Sequence, residues 1–147
     1  MPEQRPAKSK SARPSPAPLP DAELEVLACL WRQGEATARQ IRETMHSYRA
    51  MAHGSVMSLL KRLQEKGWVS RQKGPVGKAF VYRPTRRPGP TYRSILARFR
   101  RRIFGGNSVA MVSNLFDAKP PTQEEVQKLR RLLDELQTKA AEREKKS

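Results

Sequence analysis

The sequence predicts a mainly α-helical protein in which three helices and a β-hairpin are followed by further helices. Apolar residues recur at helical spacing in three successive segments near the N-terminus, and two short runs rich in Val and aromatic residues then flank a Gly/Pro loop. Helical periodicity resumes after a proline-rich segment at residues 84–90. A third observation indicates the kind of molecule that the protein binds: the 147-residue chain carries a net charge of +16.

Periodicity and end signals mark the first two helices. A stripe of apolar residues at i, i+3, i+4 and i+7 predicts a helix over about Asp21–Gln33. Its predicted core face is Leu24, Leu27, Ala28, Leu30 and Trp31. A second helix is predicted to start at Thr37, because Thr37 and Gln40 form a capping-box pattern that satisfies free backbone N–H groups.

The third helix has one apolar and one polar face, and it is predicted to have Lys66 in its last turn and Gly67 just after its end. Its apolar face is Val56, Leu59, Leu60 and Leu63. Its outward face is Ser55, Met57, Ser58, Lys61 and Arg62. Hydroxyl, thioether and cationic side chains suit base edges and phosphates, and the second helix of a helix-turn-helix lies in the major groove. The alternative is an ordinary solvated face of a core helix.

The β-hairpin is predicted from residues 68–73 and 78–83, joined by the loop Gly74–Gly77. Three helices followed by a two-stranded ribbon are the element order of a winged helix-turn-helix. The loop glycines allow close approach to a DNA backbone. We therefore predict that Lys73, Lys78 and Arg83 hold the wing on phosphates.

The positive charge is concentrated in one block. Residues 66–116 contain 12 basic residues and no acid, which is +12 of the +16. Such a field attracts polyanions, nucleic acid first and anionic membrane second. A solvated helix face explains polarity but not this absence of acids, so double-stranded DNA is the predicted partner and direct membrane binding is not expected.

The C-terminal helices have apolar faces and few residues with which to cover them. The fourth is predicted over Thr91–Phe104, the fifth starts at Asn107, and Thr122 with Glu125 forms a capping box that opens the sixth. The residues assigned to dimerisation are Leu96, Phe99, Val126, Leu129, Leu133 and Leu136. These helices are too short to bury a core alone, so we predict a homodimer.

The arginine cluster Arg98–Arg102 on the fourth helix leaves three interpretations open: contact with the DNA backbone, a solvated face, or pairing with acids across a dimer.

The chain as a whole divides into four predicted regions. These are a disordered Pro-rich basic tail (1–18), a winged-helix DNA-binding domain (19–85), an α-helical dimerisation domain (86–140) and a charged tail (141–147) that frays after Lys139.

Catalytic and metal-binding patterns are missing from the sequence. The single cysteine, Cys29, excludes a disulfide framework and a Cys-rich zinc site, and we interpret it as a small buried hydrophobe. The two histidines, His46 and His53, form no catalytic arrangement with it. We predict no enzyme activity, no cofactor and no metal. Without an apolar span or a secretory signal, the expected compartment is the cytoplasm.

Four motifs together resemble the penicillinase-repressor family, the BlaI/MecI/CopY group. They are LPDAELEVL at residues 19–27 with Trp31, SVMSLLKRL at 55–63 with the KG pair at 66–67, GKAFVYRP at 77–84, and FGG at 104–106. The resemblance covers residues 19–138. It implies a bacterial homodimeric repressor with a winged helix on each half of an operator dyad. In one branch a membrane-bound sensor metalloprotease responds to β-lactams, and the repressor is then cut in its dimerisation domain at an Asn–Phe bond.

The sequence departs from the family in three places. Gly54, Ser55 and Ser58 stand where the family often has threonines, which predicts a different operator. Leu115 stands where the family has the asparagine of the cut bond, so the candidate cleavage segment is Asn114, Leu115 and Phe116, with Asn114–Leu115 as the alternative bond. The cysteine cluster of the copper-responsive branch is missing, which argues against metal sensing.

Two other functions remain as alternatives. One is a ligand-sensing winged-helix regulator of the multidrug-resistance type, which would need a pocket between its dimer helices. The other is a non-specific basic architectural protein that binds nucleic acid. A specificity ratio near one on random duplexes would favour the second alternative, and a ligand-induced thermal shift would favour the first.

Overall fold

The computed structural model describes residues 18–75, 77 and 79–146. The predicted tail, apart from Pro18, lies outside these residues, and so does Lys78 of the predicted wing. In chain order the elements are α1 (Asp21–Gln33), β1 (Ala36–Thr37), α2 (Ala38–Met45), α3 (His53–Glu65), β2 (Val69–Lys73), β3 (Phe80–Pro84), α4 (Pro88–Arg102), α5 (Ser108–Ala118) and α6 (Gln123–Lys146). They form two compact units, one ending at Ile95 and one beginning at Leu96.

The first unit has a closed apolar core between α1, α2, α3 and the sheet. All four predicted core residues of α3 are buried. In α1 the predicted face was partly wrong: Val26 and Cys29 are fully buried, whereas Leu24, Ala28 and Trp31 are only half-buried. The reason is that α1 contacts α2, α3 and β3 together, so burial covers more of its circumference than one stripe. Burial also raises the pKa of the Cys29 thiol.

The predicted capping boxes are both present. The Thr37 hydroxyl accepts from Gln40 N at 3.1 Å, and the Gln40 side chain accepts from Thr37 N at 2.8 Å. At α6 the Thr122 hydroxyl accepts from Glu125 N at 3.1 Å and the Glu125 carboxylate accepts from Thr122 N at 2.9 Å. These reciprocal bonds satisfy the first N–H groups of each helix and define where α2 and α6 begin.

The sheet has three antiparallel strands in the order β1-β3-β2, not the two that the sequence predicts. In the hairpin Arg71 faces Tyr82 and Lys73 faces Phe80. The additional strand β1 pairs Ala36 with Tyr82 and covers the other edge of β3. A two-residue strand has no periodicity of its own, so only its partner reveals it.

Two C-terminal helices differ in extent from their predicted ranges. Helix α4 begins at Pro88 instead of Thr91, because a proline at the first helical position has a suitable φ and loses no hydrogen bond there. It ends at Arg102, before Gly105 and Gly106, which both have positive φ. Helix α6 continues to Lys146, so the fraying predicted after Lys139 is wrong: residues 123–146 contain no helix-breaking Gly or Pro.

The second unit has amphipathic helices, and its described residues form no buried core. Among its described residues, 96–146, none is buried. Its exposed large apolar side chains are Leu96, Phe99, Ile103, Val109, Val112, Leu115, Leu132, Leu133 and Leu136. Across residues 18–75, 77 and 79–146, no helix has both the length and the apolar composition of a membrane span.

Candidate nucleic-acid interface

Helix α3 presents the predicted polar face with one exception. Ser55, Ser58, Lys61 and Arg62 are exposed, opposite the buried apolar face of the same helix. Met57 is half-buried and packs against the core. Four of the five predicted groove-facing side chains are therefore available to solvent, and Met57 is shared between the core and the surface.

Two ion pairs connect α1 with the two ends of α3. Arg49, in the turn before α3, donates from Nε and Nη2 to both carboxylate oxygens of Glu25, at 2.6 and 2.8 Å. At the other end Lys66 Nζ lies 2.7 Å from Glu23 Oε1, and the Glu23 side chain is only 3% exposed. A buried carboxylate needs a charged or hydrogen-bonding partner, which Lys66 supplies.

The Glu25–Arg49 pair affects both groups electrostatically. Hydrogen bonding from Arg49 holds the pKa of Glu25 below its ordinary value, against the opposing effect of desolvation. The same bond raises the pKa of Arg49. A bidentate guanidinium–carboxylate contact fixes orientation as well as distance. It therefore positions the turn that leads into α3, a role that sequence analysis missed because the partners are 24 residues apart.

The predicted cations of the wing differ in their surroundings and in whether they have an ion-pair partner. Lys73 is exposed at the end of β2. Arg83 Nε donates to Glu35 Oε1 at 2.7 Å, with both side chains about half exposed. For Arg83 to reach a phosphate as predicted, this ion pair must open or be shared. Lys78 lies outside the described residues, so its predicted role stays a prediction.

Arg71 is a wing cation that the sequence analysis did not select. Its guanidinium carbon lies 4.0 Å from the centroid of the Phe80 ring. Because alternate strand residues share a face, Arg71 lies on the same side of β2 as Lys73. The aromatic contact restricts a long, exposed side chain. The period-two alternation of β2 would have found it.

The proline-rich segment at residues 84–90 and the start of α4 are held against the rest of the first unit. Trp31 Nε1 donates to the Arg86 carbonyl oxygen at 2.7 Å, and the Trp31 and Tyr92 rings meet edge to face at 5.4 Å between centroids. The Arg86 guanidinium lies 4.6 Å from the Trp68 ring centroid. These contacts explain why the first compact unit extends to Ile95, beyond the boundary predicted after residue 85.

The residues predicted for dimerisation lie on α4 and α6, and most are exposed. Leu96 is 55% exposed, Phe99 52%, Leu133 62% and Leu136 47%, whereas Val126 and Leu129 are half-buried. Leu132, 48% exposed, belongs to the same apolar surface and was not selected. A strict 3-4 spacing selects only Val126, Leu129, Leu133 and Leu136 on α6 and omits this additional position.

The candidate cleavage segment lies inside α5. Asn114 Nδ2 donates to the Ala110 carbonyl oxygen at 2.9 Å, one turn earlier in the same helix. Leu115 is exposed and Phe116 half-buried. A protease that takes an extended strand would therefore have to unwind α5 locally before cutting here.

Comparison with known proteins then identifies the family. The model of the family described as "Penicillinase repressor" matches residues 19–135. The chain belongs to the penicillinase repressor family. Membership confirms the resemblance that the motifs predicted and identifies the chain as a DNA-binding transcriptional repressor with a winged helix.

Individual relatives have low sequence identity to this chain, but the alignments cover most of each relative's length. The chain is 25% identical over 116 residues to the methicillin resistance regulatory protein MecI of Mammaliicoccus sciuri, covering 79% of this chain and 93% of MecI. It is 25% identical over 117 residues to the penicillinase repressor of Bacillus licheniformis, covering 80% and 90%. The solution structure of the DNA-binding domain of the repressor BlaI is 26% identical, covers 46% of this chain and 80% of that domain, and has a TM-score of 0.42.

Proposed function

We propose that this repressor acts as a homodimer in the cytoplasm and places one winged helix on each half of an operator dyad. The observation that carries the proposal is a contrast: the first unit has a buried core, whereas none of the described residues of the second unit, 96–146, is buried. A dyad-symmetric site matches a protein with twofold symmetry, so dimerisation and operator shape are linked.

The second unit supplies the dimer interface. Its exposed apolar side chains lie on three consecutive helices, and exposed apolar patches of this kind mark interaction sites. A second copy offers a surface of the same composition, and a twofold contact pairs the same face of both subunits. The assigned interface is Leu96, Phe99, Val126, Leu129, Leu133 and Leu136, extended by Leu132.

The first unit reads the DNA. Ser55, Ser58, Lys61 and Arg62 enter the major groove and contact base edges, with the half-buried Met57 at their margin. Lys73, Lys78 and Arg83 contact phosphates through the wing. Base contacts determine sequence preference and phosphate contacts determine register and affinity.

Leu133→Glu tests the dimer. A carboxylate in an apolar interface costs several kcal/mol unless it is paired, so we expect monomers in sedimentation velocity. Loss of the linked second half-site should weaken operator binding by about 10²-fold or more. Gln127→Glu adds the same charge on the opposite side of α6 and should leave the dimer intact. An intact Leu133→Glu dimer would show that this surface is not the interface.

A pair of alanine variants tests the division between base and phosphate contacts. Selection from a random duplex pool should return a shifted consensus for Ser58→Ala. Lys73→Ala should keep the wild-type consensus and bind every duplex more weakly, with a salt slope reduced by about 0.9. If both variants select the same consensus as the wild type, α3 does not read the operator through Ser58.

Release of the operator is by proteolysis in α5, by a membrane-bound sensor metalloprotease. Cutting between Asn114 and Phe116 would separate α6 from the rest of the interface and so weaken the dimer. Co-expression with the candidate protease, followed by intact-mass measurement of the fragments, identifies the bond. Recovery of only full-length chain under inducing conditions would exclude this release mechanism.

A further inference from the structure

Helix α4 carries a cationic surface that the winged-helix contacts do not use. We propose that the side chains of Arg98, Arg101 and Arg102, here called the α4 arginine face, bind the phosphate backbone of DNA independently of sequence. The proposal rests on the proposed function, because it adds a second contact surface to a repressor that already occupies DNA through its first unit.

The α4 arginine face is separate from the apolar face of the same helix. At 3.6 residues per turn, the three arginines fall within roughly 100° of arc. Leu96 and Ile103 lie on the opposite side of the helix, and Phe99 lies between them and Arg102, about 60° from Arg102. All three apolar side chains are more than half exposed. A second subunit that covers the apolar residues therefore leaves most of the α4 arginine face, above all Arg101, uncovered.

Within the part of the chain that the structure describes, these arginines have no ion-pair partner. Over residues 18–75, 77 and 79–146, no ion pair involves Arg98, Arg101 or Arg102. Arg101 and Arg102 are exposed and Arg98 is half-buried. Arg100, between them, differs: its Nη1 donates to the Gly106 carbonyl oxygen at 3.2 Å, which assigns it to the end of the helix.

Helix α6 of the same unit provides an internal comparison. It has seven basic and six acidic residues, a net charge of 7 − 6 = +1, and Lys128 lies 3.5 Å from Glu124. Helix α4 has five basic residues and no acid, a net charge of +5. Both helices have an exposed apolar face. Helix α6 shows that an amphipathic helix can stay soluble with a nearly balanced charge. The net charge of +5 on α4 is therefore not explained by solubility.

DNA fits this surface better than a lipid bilayer does. All five cations of α4 are arginines, whose planar guanidinium groups bind phosphate oxygens in bidentate fashion. A helix that lies in a bilayer interface inserts its apolar face between lipids. In this chain that face is needed for the dimer, whereas a DNA backbone needs only the charged side.

The experiment compares two triple variants of the full chain that remove equal charge. Arg98, Arg101 and Arg102 become Gln in one, and Lys128, Arg130 and Arg131 of α6 become Gln in the other. Affinity for a mixed-sequence duplex is measured by fluorescence anisotropy over a series of salt concentrations. We expect the α4 variant to lose about 0.9 in log–log slope for each phosphate contact removed, and the α6 variant to keep the wild-type slope.

Several results would overturn the proposal. A wild-type slope in the α4 variant shows that these arginines do not contact DNA, and an equal loss in both variants shows a general effect of net charge. Dissociation of the α4 variant into monomers by sedimentation assigns the arginines to acids of the second subunit. Binding of the wild type to phosphatidylserine vesicles that only the α4 variant loses, with the DNA slope unchanged, assigns them to a membrane. Failure of the wild type to bind DNA contradicts the proposed function itself.

Discussion

The two units of this repressor are built from similar amphipathic helices, but the apolar side chains are buried in the first unit and exposed in the second. In the first unit, residues such as Leu30, Ile41 and Leu60 are completely buried within one chain. In the second, no described residue is buried, and Leu133 is 62% exposed. Amphipathic periodicity predicts a helix equally well in both units. Whether the partner surface lies in the same chain depends on how many elements surround it.

The largest expected effect comes from a cavity in the first unit. Leu60→Ala removes a fully buried side chain and should lower the free energy of unfolding by about 2–5 kcal/mol. Both tryptophans, Trp31 and Trp68, belong to this unit, so urea denaturation followed by tryptophan fluorescence reports it selectively. Leu115→Ala, an exposed position in the second unit, is the matched control and should leave this transition unchanged. A loss below about 0.5 kcal/mol for Leu60→Ala would contradict the packing of the first core.

Dilution should separate the two units next. If the second unit folds only as a dimer, each tenfold dilution lowers its stability by about 1.4 kcal/mol, whereas the first unit has no such dependence. Far-ultraviolet circular dichroism should therefore lose helical signal on dilution while tryptophan fluorescence stays constant. Parallel loss of both signals would mean that the first unit also depends on the dimer.

Local patterns predicted much of the fold. The periodicity of α3 and the capping boxes at Thr37 and Thr122 depend on residues within one or two turns, and the structure confirms them. The strand β1, the Glu23–Lys66 pair and the Trp31–Arg86 hydrogen bond were missed. Each joins residues far apart in sequence, so none leaves a signal in a short window.

In the candidate site, too, the sequence predicted what depends on local spacing and missed what depends on contacts between elements. The outward face of α3 followed from helical spacing, with Met57 as the exception, because a flexible thioether at the edge of an apolar face can pack inward. Arg71 and Arg49 were missed because their importance lies in what they contact, an aromatic ring and a carboxylate from other elements.

A smaller effect is expected from the Glu25–Arg49 pair. The pKa of Glu25 is lowered in the folded state, so the pair contributes stability in full above the unfolded-state pKa. The contribution is lost as the pH falls through the folded-state pKa. Because both side chains are more than a third exposed, we expect about 1 kcal/mol or less at neutral pH. Glu25→Gln should remove this part of the acid dependence in urea titrations, whereas Glu43→Gln, on the exposed surface of α2, should keep it.

The most selective comparison of the two units is the reactivity of Cys29. Burial raises the pKa of the thiol and blocks access to it, so a thiol-specific reagent should react only when the first unit opens. Leu60→Ala should accelerate labelling by about tenfold for each 1.4 kcal/mol of lost stability. Leu133→Glu should leave the rate unchanged, because the first core is complete without the dimer. Faster labelling of the Leu133→Glu variant would show that the two units are coupled, since opening the second would then expose the core of the first.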